Sequence, residues 1–172
     1  MDALQKQLDQ GKKIDFSTIK MENVCALLVR YYTMLPSPLI GHNLYSKFIK
    51  FSSFAPNSRD MKSALNTFVS KGLPRSEAKM LGYTVRFLRG VSLQESKNNL
   101  TLAKLADLFR IGILRKKSSI FSKKGDSKVE IDLIIELINN YEEVFKGVRV
   151  PVMLTLANPN RPPPRDIEVS LR

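Results

Sequence analysis

An all-α fold is what this 172-residue sequence predicts, and three observations predict it. Apolar residues recur at three- and four-residue spacing in segment after segment. Prolines fall at the ends of those segments rather than inside them. Hydrophobic residues make up 43% and charged residues 26%, a globular composition, and the chain is long enough for one domain with a substantial core.

In chain order, Asp2 to Gln10 reads as a short helix with Leu4 and Leu8 on one face and Gly11 as its stop. Lys12 to Lys20 is a polar connection. Met21 to Met34 carries Val24, Leu27, Leu28 and Tyr31 at helical spacing, with Cys25 expected as a small buried hydrophobe. Leu35-Pro36-Ser37-Pro38-Leu39 ends that helix, because proline lacks a backbone donor and disfavours helical geometry in the residue before it. His42 to Phe51 is the next helix, started by His42 and apolar at Leu44, Tyr45, Phe48 and Ile49.

Asn57 or Ser58 caps a helix to about Lys71 that buries Met61, Leu65, Phe68 and Val69 and closes at Gly72. Pro74 opens a long helix to about Val91, striped by Leu81, Val85 and Leu88. After Asn98-Asn99-Leu100-Thr101, Leu102 to Phe109 is helical. Arg115 to Lys128 is a basic, Ser-rich loop. Val129 to Phe145 is the last helix, with Ile134, Leu137, Ile138, Tyr141 and Phe145 on its face. Glu142 and Glu143 read as ordinary solvated charges on it.

The texture changes after Gly147. Val148 to Leu156 is β-branched enough for one strand, and Asn158 to Arg165 is a Pro-rich linker with no means of folding alone. The expected organisation is a helical domain over residues 1–146 and an extension over 147–172.

The longest apolar runs are far too short to span a membrane, and the N-terminus lacks the apolar core of a signal peptide. A single cysteine allows no internal disulfide and suits a reducing, cytoplasmic setting. The formal charge of +12 and pI near 9.9 favour an acidic partner: nucleic acid, anionic lipid or an acidic protein face. Nucleic acid is the weakest of these, since no aromatic-interleaved basic motif or recognition helix stands out. His42 is the sole histidine, which excludes a His-based metal cluster; no Gly-rich phosphate loop occurs either. No independent enzyme active site is expected, and no cofactor.

Four segments, in order, carry a resemblance. "LLVRYYTMLPSPLIGHNLYSKFI" resembles a helix that ends in a Leu-Pro-x-Pro-Leu corner and restarts as Tyr-x-x-Phe. "LPRSEAKMLGYTVRFLRGV" resembles a long helix beginning Leu-Pro, and "NNLTLAKLADLFRIGILR" an Asn-Leu-Ala-x-x-Phe-Gly-Pro segment. "LIIELINNYEEVF" resembles a closing Leu-Ile-x-Asn-Tyr-x-x-Ile-Phe helix. The family they resemble is the Rho GTPase-activating protein domain, over roughly residues 2 to 146. That resemblance implies a helical bundle that docks on the switch regions of a Rho-family small GTPase, Rac-like or Rho-like. It also implies an arginine finger that neutralises charge on the transferring phosphoryl group. GTP and magnesium would belong to the partner.

This sequence departs from the family at the positions that matter most. The Gly-Ile-Phe-Arg-x-Ser-Gly type of finger segment is not found, and the first helix matches the one that follows it, so the domain is expected to be N-terminally short. By the resemblance, the supporting lysine falls on Val29, the arginine on Thr33 and the asparagine on Lys104. The Gly-Pro-x triplet falls on Arg110-Ile111-Gly112. Arg30 adjoins the lysine position, but one helical residue turns its side chain by about 100°.

Val29, Arg30, Thr33, Lys104 and Arg110 are therefore the expected GTPase-binding surface, with no catalytic residue among them. Lys104 and Arg110 are expected to complement acids on the partner. The alternative, that one of them reaches the nucleotide phosphates, is less favoured. A finger needs a loop that enters the cleft, and a lysine lacks arginine's planar fork. Lys116, Lys117, Lys123 and Lys124 read as a solvated loop, or as a lipid contact at an anionic membrane.

The expectation is a GTPase regulator with weak or atypical stimulation of hydrolysis, acting in cytoskeletal or trafficking signalling. The rival is an inactive scaffold for anionic lipid or another protein.

Overall fold

The computed structural model describes residues 2–117 and 126–150. Among these the architecture is helical. α1 spans Asp2–Asp9, α2 Met21–Met34, α3 Tyr45–Ile49, α4 Arg59–Thr67 and α5 Arg75–Ser92. α6 spans Glu95–Asn98, α7 Leu102–Ile113, α8 Asp126–Asn139 and α9 Tyr141–Val144. No strand occurs among the described residues; Ile40 and Leu114 form an isolated parallel bridge.

The caps are chemical. Ser58 Oγ accepts from the Met61 amide at 3.1 Å to start α4, and Thr101 Oγ1 accepts from the Lys104 amide at 3.3 Å to start α7. Pro74 stands at the N-cap of α5. The predicted His42–Phe51 helix is instead α3 flanked by 3₁₀ turns at His42–Leu44 and Lys50–Ser53. The predicted end at Lys71–Gly72 is a π turn over Phe68–Gly72. The expected final helix is two: it starts earlier, at Asp126, and breaks at Asn140. At the break, buried Asn140 keeps its backbone bond to the Glu136 carbonyl and adds its side-chain amide to the carbonyl and carboxylate of the same residue.

The core lies where α7 packs on α8 and α2, with α5 against α8 and α4 against α9. Leu81, Val85 and Leu88 of α5 and Ile134, Leu137 and Ile138 of α8 are buried there as their spacing predicts. α2 is rotated from the expected stripe. Leu27 and Tyr32 are buried, whereas Tyr31 is 53% exposed. Cys25 is exposed, against expectation, because it lies two residues from Leu27, about 200° around the helix.

Glu142 and Glu143 are exposed but paired, with Arg89 at 2.6 Å and Lys62 at 3.7 Å. Asn66 closes the end of α9 by donating its amide to the carbonyls of Glu143, Val144 and Lys146. Gly147 then turns the chain with φ of 86°, a conformation that favours glycine, and Val148 and Val150 pack against the core. Residues 148–150 are irregular rather than a strand; the remainder of the proposed strand and the Pro-rich segment lie outside the described residues.

Candidate functional site

α2 and α7 lie side by side, and their C-terminal ends are bolted together. An ideal Cβ on Gly112 would stand 2.5 Å from Tyr32 Cβ and 2.9 Å from the Tyr32 carbonyl oxygen, so a glycine is what lets α7 approach the α2 backbone. Tyr32 runs inward from this contact. Its ring meets Phe109 edge-on at 5.4 Å, and its hydroxyl lies 2.8 Å from Thr84 Oγ1. Thr84 spends its one hydroxyl proton on the Met80 carbonyl, so Tyr32 is the donor. Burial pushes the Tyr32 phenol above its ordinary pKa.

The Leu35–Leu39 corner docks on the same end of α7. The amides of Leu39 and Ile40 donate to the carbonyls of Gly112 and Ile113 at 2.9 and 2.8 Å. The Arg115 guanidinium donates to the carbonyls of Thr33, Leu35 and Pro36. These acceptors lie at or beyond the C-terminal end of α2, where carbonyls lack helical partners and a cation is favoured. The Arg115 carbonyl lies 3.0 Å from His42 Nδ1, which must carry the proton, since a carbonyl only accepts. His42 is thereby a helix-start residue, as expected, with a tethering contact added.

α7 runs one turn past the predicted end at Phe109, to Ile113. Ile111 occupies the position where the resemblance places a proline, and it keeps the amide that lets the helix continue.

The five predicted surface residues are distributed on this pair of helices. Val29 is half-buried and packs against the core. Thr33 is exposed and its hydroxyl donates to the Val29 carbonyl at 2.9 Å. Arg30 is half-buried and Lys104 exposed.

Arg110 is held inward. It donates to Glu130 Oε2 at 2.7 Å and to Asp107 at 3.3 Å. The other oxygen of Glu130, a residue only 5% exposed, accepts from the Tyr45 hydroxyl at 2.7 Å. Burial disfavours the Arg110 charge, but the hydrogen bonds and charges of Glu130 and Asp107 outweigh it and hold its pKa above the ordinary value. α3, α7 and α8 thus meet at one carboxylate.

Lys116 and Lys117 are exposed; Lys123 and Lys124 lie outside the described residues. Sequence reasoning missed four exposed apolar side chains on the same two helices: Met21 at the start of α2, Tyr31, Met34 at 62% exposure and Leu108 at 45%. Leu108 lies on α7 beside exposed Lys104 and Asp107, outside the buried set of Leu105, Ala106, Phe109 and Ile113. Among the described residues no group of three or more His, Cys, Asp or Glu could hold a metal, and no helix is long and apolar enough to cross a membrane.

Two adjacent helices, an exposed face mixing apolar and basic side chains, and a proline corner clamped to the end of the second helix characterise this helical domain. A profile of the RhoGAP domain matches residues 1–118, and the chain belongs to that family. Mouse Rho GTPase-activating protein 10 is 29% identical over 163 residues, 91% of this chain. Rho GTPase-activating protein gacN of Dictyostelium discoideum is 27% identical over 146 residues, 83% of the chain. The chain spans 20% of the length of the first and 24% of the second.

Among solved structures, the BH domain of GRAF, the GTPase regulator associated with focal adhesion kinase, superposes with a TM-score of 0.69 at 25% identity. It covers 86% of this chain and 78% of its own. Human Rho GTPase activating protein 15 shares the fold, with a TM-score of 0.74 at 18% identity, covering 84% and 69%.

Proposed function

We propose that this domain binds a Rho-family small GTPase through α2 and α7 and regulates its GTP hydrolysis weakly or in an atypical way. Family membership supports the partner class. The observation that carries the weak-activity reading is the condition of the family's polar positions. Val29 is apolar and half-buried, Thr33 turns its hydroxyl onto its own helix, and Arg110 is engaged by Glu130. None of these three offers a free cation to a phosphate. Arg30, Thr33 and Lys104, with Tyr31, Met34 and Leu108 beside them in sequence or one helical turn away, form the contact face. Val29 and Arg110 support it from beneath.

GTP and magnesium come with the GTPase. The setting is cytoplasmic signalling to the cytoskeleton. The exposed Lys116–Lys117 pair favours a peripheral contact with the anionic membrane where such GTPases act.

The test is single-turnover GTP hydrolysis by a panel of Rho-family GTPases, alongside binding to their GDP, GTP-analogue and transition-state-mimic forms. The expected result is binding that prefers the GTP-analogue form, is lost in Lys104→Glu, and comes with little stimulation. Strong stimulation abolished by Lys104→Ala would make Lys104 a replacement finger. Absence of binding across the panel would leave a scaffold whose lipid affinity follows salt and ignores nucleotide.

A further inference from the structure

A concavity of 450 Å³ lies away from the α2–α7 pair, between the end of α4, the start of α5 and the chain that turns back at Gly147. Its floor is apolar, with Val69 and Leu73 buried. Its walls are cationic. Arg75 and Lys79 stand one helical turn apart on α5, and Arg149 comes from the facing chain; Ser70 adds a hydroxyl. Among the described residues, none of the three cations has an ion-pair partner. The nearest acid in sequence, Glu77, does not line the cavity. Past Val148 the positive character continues, where Arg86 and Lys146 line the adjoining cavity opposite an already paired Glu142.

Like charges at i and i+4 on a helix repel, and a third charge on the opposite wall compounds the effect. A concavity with low-dielectric walls also focuses the field of the charges that line it. A bound anion relieves both. The cations stand on two facing walls of a space far larger than one phosphate requires, so the complementary ligand carries several negative groups around a small polar body. We propose that this concavity binds a polyphosphorylated small molecule of the inositol-phosphate class, free or as a lipid headgroup. The assignment is independent of the GTPase reading, and no GTPase enters its test.

The test is calorimetry of the full chain with inositol trisphosphate and, separately, inorganic phosphate. It is joined by co-sedimentation with phosphatidylcholine vesicles carrying either phosphatidylinositol bisphosphate or charge-matched phosphatidylserine. Inositol trisphosphate is expected to bind and inorganic phosphate not to displace it. Arg75→Gln/Lys79→Gln should weaken binding about tenfold or more. Lys12→Gln/Lys13→Gln, which removes the same charge from another part of the surface, should leave it unchanged. Arg149→Gln repeats the test without touching α5.

Bisphosphate vesicles displaced by soluble trisphosphate identify the lipid headgroup as the ligand. Trisphosphate binding without vesicle binding identifies the free form. The proposal is overturned if trisphosphate does not bind at low salt, or if both double variants lose affinity equally. It is also overturned if vesicles bind alike with either lipid and are not displaced, which would describe a flat basic surface.

Discussion

Replacing Arg110 by alanine should unfold the domain more readily, because its partner is a buried carboxylate rather than a phosphate. In the folded chain the Glu130 side chain is 6% exposed and its Oε2 takes a 2.7 Å hydrogen bond from Arg110. With the guanidinium gone, the carboxylate keeps a single hydrogen bond from Tyr45. Stranding a buried charge in this way costs about 3–5 kcal/mol. The Arg110 side chain is itself 23% exposed, so water entering the gap lowers the expectation to about 2–3 kcal/mol. The Asp107 contact, 60% exposed, adds nothing measurable.

For a domain of this size that loss lowers Tm by about 4–12 °C. The control is Arg110→Met/Glu130→Leu/Tyr45→Phe, which removes the charges together with the hydroxyl that served them, and should cost less than the single alanine. The assay is urea and thermal unfolding by circular dichroism, run beside GTP hydrolysis well below Tm. An Arg110→Ala protein with unchanged Tm and abolished stimulation would refute this reasoning and make Arg110 a phosphate contact.

Three further outcomes are expected. Gly112→Ala forces α7 off the Tyr32 backbone and should cost about 1–3 kcal/mol or more; a wild-type unfolding curve would mean the helices do not pack this closely. Arg115→Ala leaves the end of α2 and the proline corner without their donor, at about 1–3 kcal/mol, and Arg115→Lys should recover only part of it, because an ammonium cannot reproduce the fork. Cys25 should react promptly with a thiol reagent in the native protein; a requirement for denaturant would restore the buried assignment.

Most of the core was legible because it obeys local periodicity. The stripes on α5 and α8 and the caps at Ser58 and Pro74 depend on residues a few positions apart. What escaped depends on distant partners. Tyr32 rather than Tyr31 turns inward because Gly112 makes room beside it, and nothing near α2 announces that glycine. The break at Asn140 is invisible to an apolar pattern, since Ile138 and Tyr141 keep their spacing across it. At the candidate site, the helices could be read from the resemblance. The inward hold on Arg110 could not, because an arginine just past the predicted end of a helix gives no local sign of a carboxylate on another helix.

The shared carboxylate at Glu130 has a consequence for how a partner is met. α3, α7 and α8 converge on it, so α7 cannot slide or roll on its neighbours without leaving a charge bare. The helix that carries Lys104 is therefore offered in one fixed pose. On the proposed reading, a GTPase would find its docking face already built, with little ordering entropy left to lose on contact. Variation in affinity among related GTPases should then show in how long each stays rather than in how fast each arrives.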